Sequence, residues 1–174
     1  MSILHWLGLK PKESASPSER DVLGRITAAL EGLPPERARF IAVFAFVLSR
    51  VAYADLEISE AETRQMERIV AEYGGLEPEQ ARRAVAVAQA ENQLHGATGN
   101  YLATRELRAL CTTEEKLTLL RCLFAVSAAD DSISTVEEEA IRQIGNELGL
   151  TREEYVAIRA EFREKRAVLR DPPR

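Results

Sequence analysis

Histidine and cysteine are scarce in this chain, two of each among 174 residues. Nucleophilic catalysis needs a base beside its Ser or Cys, and only His5 and His95 are available. His95 lies in the weakly patterned loop "NQLHGATGN", where a solvent-facing imidazole is the plain reading. Nothing in the sequence fixes it against Cys111. The two cysteines, Cys111 and Cys122, make no disulfide framework, and Cys122 sits inside the apolar run "LLRCLFAV" as a buried thiol. Such usage fits a reducing, intracellular compartment. Zinc-type Cys/His clusters are missing. So are a Walker A loop, HExxH and Gly-x-Ser-x-Gly, and "GATG" is too short to cradle phosphate.

Long apolar runs are also lacking. The longest, "FIAVFAFVL" from Phe40 to Leu48, is half of the ~20 residues that a membrane-spanning helix needs. Arg39 and Arg50 bound it, so a buried core helix is expected. Basic excess is absent too: the net charge is −5, which gives no reason to expect nucleic acid. The start, "MSILHWLGLKPK", is too short for a secretory signal and has no cleavage region. No segment alternates apolar and polar residues with turn chemistry at its ends, so strands are not expected.

What is present is helical periodicity. Leu23, Ile26, Leu30 and Leu33 predict a first helix ended by "LPP"; a second runs from about Pro35 to Ala54. A third begins after Ser59 with Met66, Ile69, Val70 and Tyr73 as its buried stripe, and "YGGLEPE" stops it. A fourth covers roughly Glu77 to Gln93, a fifth Tyr101 to Leu110, and a sixth follows Thr112 to about Ala129. A seventh starts at Ser134 and ends at "LGL". The eighth starts at Thr151, with Tyr155, Ile158 and Phe162 facing inward. Ser59 with Glu62, and Ser134 with Glu137, have capping-box spacing; Thr151 also has Glu154 three residues on. The chain is expected to be all-α, a single bundle of about seven or eight helices.

Residues 1–17 stand apart as a flexible segment and linker. Ile3, Leu4, Trp6, Leu7 and Leu9 are apolar, followed by Lys10 and Lys12, then by the Pro- and Ser-rich "PKESASPSE". Two readings of residues 1–12 stand: a foot that lies on a membrane surface or partner, or a segment folded back on the domain, since so short a helix is marginal alone. The helical domain is expected over residues 18–170.

Within that domain one pattern occurs twice. Setting Ala54-Asp55 on Ala129-Asp130 brings Leu48 onto Leu123, Val51 onto Val126, Ile58 onto Ile133, Ser59 onto Ser134 and Glu62 onto Glu137. Ile69 then meets Ile144, and Glu72 meets Glu147. One extra glycine restores register at Gly75-Leu76 against Gly149-Leu150. The offset is too long for common solenoid repeats. It suggests a duplicated helical hairpin with pseudo-two-fold symmetry, its halves about 36–90 and 112–168.

Both copies place an aspartate, Asp55 or Asp130, at a helix C-terminus, where the dipole disfavours a carboxylate by a few tenths of a kcal/mol or more. One answer is structural: the free amides of the following helix satisfy the Asp, while Ile58 and Ile133 plug the corner. The other is a hard cation, because Asp55 and Glu57, or Asp130 and Asp131, with Glu62, Glu137 or Glu138 nearby, offer the oxygen ligands that calcium and magnesium prefer. The corner is not an EF-hand loop: its twelfth positions are Met66 and Ile141, and its sixth are Glu60 and Thr135. A third use is an acidic patch read by a basic partner, with Glu57, Asp131 and Glu138 as contact residues.

The segments "VAYADLEISEAE" and "VSAADDSISTVEEE" resemble the TerB family, named for tellurite resistance, over about Ala38 to Phe162. Its signature is a helix ending in Ala-Asp-Gly, an apolar-Ser turn, and a Glu opening the next helix. This chain departs at the glycine, with Leu56 and Asp131 in its place. The resemblance implies a pseudo-two-fold helical bundle. It further implies a non-enzymatic module of cytoplasmic stress-response assemblies, working beside a membrane-associated protein partner at the inner face of the membrane. It implies acidic residues for a divalent ion or partner contact; position by position these are Asp55, Glu62, Asp130 and Glu137. A related domain precedes the J-domain of a co-chaperone, but the His-Pro-Asp triad of that reading is missing. The rival expectation is a small metal-dependent hydrolase built on the clustered carboxylates.

Overall fold

A computed structural model describes residues 24–28, 30, 32–95 and 100–165. After a helical stretch over residues 24–28, seven helices follow: α1 (Pro35–Ala52), α2 (Glu60–Gly74), α3 (Pro78–His95), α4 (Asn100–Leu110), α5 (Thr113–Ser127), α6 (Thr135–Leu148) and α7 (Arg152–Glu161). A single 3-10 turn, Arg163–Lys165, follows α7. Among the described residues there is no strand, as the missing alternation predicts. The N-terminal segment 1–17 lies outside the described residues.

The apolar run becomes the centre of the bundle. Every residue from Ile41 to Ser49 is buried, and α1 packs against α2, α3, α4, α5 and α6. A helix apolar on all sides is stable only when enclosed in this way. Helix α5 packs on α1, α2, α6 and α7. Alanines 81, 84 and 88 of α3 are buried and bring that helix close to α1 and α2. No helix of the described residues is long and apolar enough to cross a membrane.

Helix starts follow the expected chemistry. Ser59, Thr112, Ser134 and Thr151 each accept a hydrogen bond from the amide three residues on, and the Glu there accepts one from the cap's own amide. Helices α2 and α6 end on Gly75 and Gly149 at φ 57° and 79°, a conformation in which a side chain would crowd the backbone. Thr151→Ala removes one acceptor from an exposed cap and should cost about 1 kcal/mol. The expected melting temperature, read by circular dichroism, is ~2–4 °C lower.

Three details differ from the sequence reading. Tyr73 is 53% exposed; the buried line of α2 continues from Val70 to Gly74, which leaves Tyr73 at its side with the ring tilted against Phe44 at 6.2 Å. Helix α3 continues through His95 into the expected loop. Helix α7 stops at Glu161, and Phe162 becomes its cap, stacked on Phe124 with centroids 5.3 Å apart.

Candidate functional site

Both corners have the same build. Asp55 Oδ1 accepts the Glu57 amide at 3.1 Å, and Asp130 Oδ1 accepts the Ser132 amide at 3.1 Å. Each aspartate is thus satisfied inside its own turn, two residues on, rather than by the incoming helix as expected. The amides of that helix are taken by Ser59 with Glu62 and by Ser134 with Glu137. Between Asp and Glu or Ser stands a residue at positive φ, Leu56 at 69° and Asp131 at 72°. These are the two positions where the resembling signature has glycine. A left-handed conformation strains a side-chain-bearing residue by roughly 1–2 kcal/mol, with Asp tolerating it better than Leu.

The capping glutamates are themselves buried, Glu62 at 5% and Glu137 at 4% exposure. Burial drives the Glu62 carboxyl from 4.5 to about 7; the Ser59 hydrogen bonds oppose this, while the charges of Glu137 and Asp130 add to it. Burial likewise raises Glu137; hydrogen bonding from Ser134 and Ser127 opposes, and the charge of Asp55 adds. Each glutamate therefore feels the aspartate of the other corner. The four carboxyls Asp55, Glu62, Asp130 and Glu137, two from each corner, are thus linked by charge across the corners. A fifth group escaped the sequence reading. The Ser127 hydroxyl is fully buried and closes no hydrogen bond of ordinary geometry, yet it faces the Glu137 carboxyl closely enough to lower its pKa. Its signal was a lone polar residue at the end of the apolar α5.

The remaining candidates lie on the rim. Glu57 is exposed. Asp131 is ion-paired with Lys165, and Glu138 Oε1 accepts from Arg159 Nε at 2.6 Å. Among the described residues, no three His, Cys, Asp or Glu side chains converge into a ready metal-binding group. The four carboxyls are hard oxygen donors spread over two corners, not an assembled coordination sphere.

The thiols have the properties of buried structural residues. Burial pushes Cys122 up to about 11 and raises Cys111 as well, opposite to what a nucleophilic thiolate requires.

The family model described as tellurite resistance protein TerB matches residues 40–160, which contain both corners and all seven carboxylates considered above. No curated protein and no solved structure matches the chain. The chain belongs to the TerB family.

Proposed function

We propose that the chain is a non-enzymatic module of a tellurite-resistance-type stress response. It holds a protein partner at the inner face of the membrane through the acidic surface where its two corners meet. Residues 1–12 supply a peripheral membrane contact. A divalent cation, calcium or magnesium, is held by Asp55, Glu62, Asp130 and Glu137. The observation that carries the reading is the repeated corner itself: a buried cap glutamate, Glu62 or Glu137, next to an aspartate turn at Asp55 or Asp130, with burial and the other corner's carboxylates raising both glutamates. A cation favours the ionised carboxylates and displaces the proton. Because the donors do not converge into one group, the ion keeps part of its own water, as magnesium commonly does. The ion's chemistry here is charge neutralisation, which joins the two corners and presents a defined face to the partner.

Thermal melting in chelator-treated buffer tests this. Calcium or magnesium at about a hundred times its Kd should add roughly 2.7 kcal/mol of stability, raising the melting temperature by ~5–10 °C. Asp55→Asn and Asp130→Asn should each lose most of that gain. If no ion moves the transition and both variants are merely less stable by equal amounts, the aspartates are turn residues and the cation reading is rejected.

A further inference from the structure

The two corners share their backbone but not their cover. After α7 the chain turns back over the second corner. The Lys165 carbonyl accepts the Ile133 amide at 2.7 Å, and its ammonium pairs with Asp131. Phe162 anchors this return on Phe124, and Arg121 holds Glu161 at 3.0 Å. Ile133 beneath it is 1% exposed. In the first half, α3 follows α2 as α7 follows α6, but it continues as helix for 18 residues and within them makes no such return. Among the described residues nothing matches the Ile133–Lys165 bond at Ile58. Ile58 is half-buried, and Leu56 is 72% exposed in its left-handed conformation. Leu56 occupies the place of Asp131, the residue that grips the lysine.

We propose that the first corner, Leu56-Glu57-Ile58, is the docking site for a short extended segment of a protein partner. The segment carries one apolar residue beside a Lys or Arg. It pairs its carbonyl with the Ile58 amide, as Lys165 does with Ile133. Its apolar side chain covers Leu56 where the second corner holds a lysine, and its basic neighbour meets the exposed Glu57. The chain's own C-terminal return is the template for this mode, and the Leu56-for-Asp131 exchange changes its preference from a basic residue to an apolar one. The proposal rests on the partner-binding reading above and names which part of the acidic surface the partner touches.

The probe is a synthetic peptide of residues 160–170 carrying Lys165→Leu, titrated into the full chain and followed by amide NMR shifts. Saturable shifts should centre on Leu56, Glu57 and Ile58, with slowed exchange of the Ile58 amide. Leu56→Asp leaves the left-handed turn acceptable. It should weaken this peptide at least tenfold while gaining at least tenfold in affinity for the unmodified Lys165 peptide. Shifts elsewhere, or the same affinity in Leu56→Asp, overturn the proposal. So does protection of the Ile58 amide in the free chain, which assigns the corner to residues 1–17 when independent of concentration and to a second copy when not. Cation-dependent melting in the same sample reports separately: peptide failure with intact cation binding rejects the docking site alone.

Discussion

In metal-free buffer, Glu62→Gln should be more stable than the natural chain by about 2 kcal/mol at pH 8 and less stable than it by about 1 kcal/mol near pH 4. The folded state raises the Glu62 carboxyl from 4.5 to about 7, chiefly by burial. The proton is therefore bound more tightly in the folded chain than in the unfolded one. The stability it contributes is full below about 4.5 and is lost as the pH rises through about 7. A change of that size corresponds to at most ~3 kcal/mol. Glutamine does not titrate and still accepts the Ser59 amide in the cap, but its buried NH2 group needs partners, which brings the expected gain down to about 2 kcal/mol. Glu115, Glu139 and Glu147 are lowered in both proteins, so their contributions cancel in the comparison; Glu137 is coupled to Glu62 and loses a repulsive neighbour in the variant, which acts in the same direction at pH 8. Urea unfolding at four pH values measures the difference. A gap that stays constant from pH 4 to pH 8 rejects the raised carboxyl. Adding the cation at pH 8 should close the gap by stabilising the natural chain only.

This result bears on function because a buried, uncompensated carboxylate weakens a fold. Two such groups, each raised in part by the other corner's aspartate, are a structural cost that the proposed binding role would account for. The exposed, strained Leu56 points the same way: a glycine would hold the turn without strain and would add no exposed apolar side chain.

The features legible in the sequence are those encoded within a few residues. Ser59 with Glu62 and Ser134 with Glu137 carry their capping boxes in four positions each, and both form. The bounded run Phe40–Leu48 announces an enclosed helix, and α1 is that helix. The site was legible only as parts. Asp55 and Glu137 lie far apart in the chain, and no local pattern states that the charge of one reaches the other. The left-handed turn was hidden because leucine and aspartate stand where glycine would have signalled it. Tyr73 satisfies the helical stripe of α2, yet the buried position of that turn is Gly74, which a stripe drawn through large apolar residues passes over. Lys165 has no pattern at all, since its role depends on the return of the chain across the second corner.

The sharpest example is Glu147, which carries the second large prediction. In the repeat pattern it is the counterpart of Glu72, yet Glu72 is exposed and Glu147 is part of a half-buried network. Arg50 grips both its oxygens, at 2.7 and 3.1 Å, and Thr104 donates to it at 2.5 Å. The same offset sets Arg50 on Ala125, so the other half has no arginine in that place. The side chains of Arg50 and Glu147 are only 10% and 13% exposed. Burial alone would raise the Glu147 carboxyl, but Arg50 and Thr104 hold it below its ordinary value. Its contribution is therefore present at neutral pH and is lost as the pH falls through the folded value. Arg50→Leu leaves that carboxylate buried without its partner and should cost about 3–4 kcal/mol at pH 7. Unfolding in urea would show a lower midpoint with an unchanged slope, and the deficit should shrink toward pH 4 as Glu147 takes up a proton. Adding Glu147→Leu to Arg50→Leu should restore most of the loss, because two apolar side chains need no partner there. A double variant as unstable as Arg50→Leu alone would show that the arginine acts through packing of its stem between α1 and α6 rather than through the charge it neutralises.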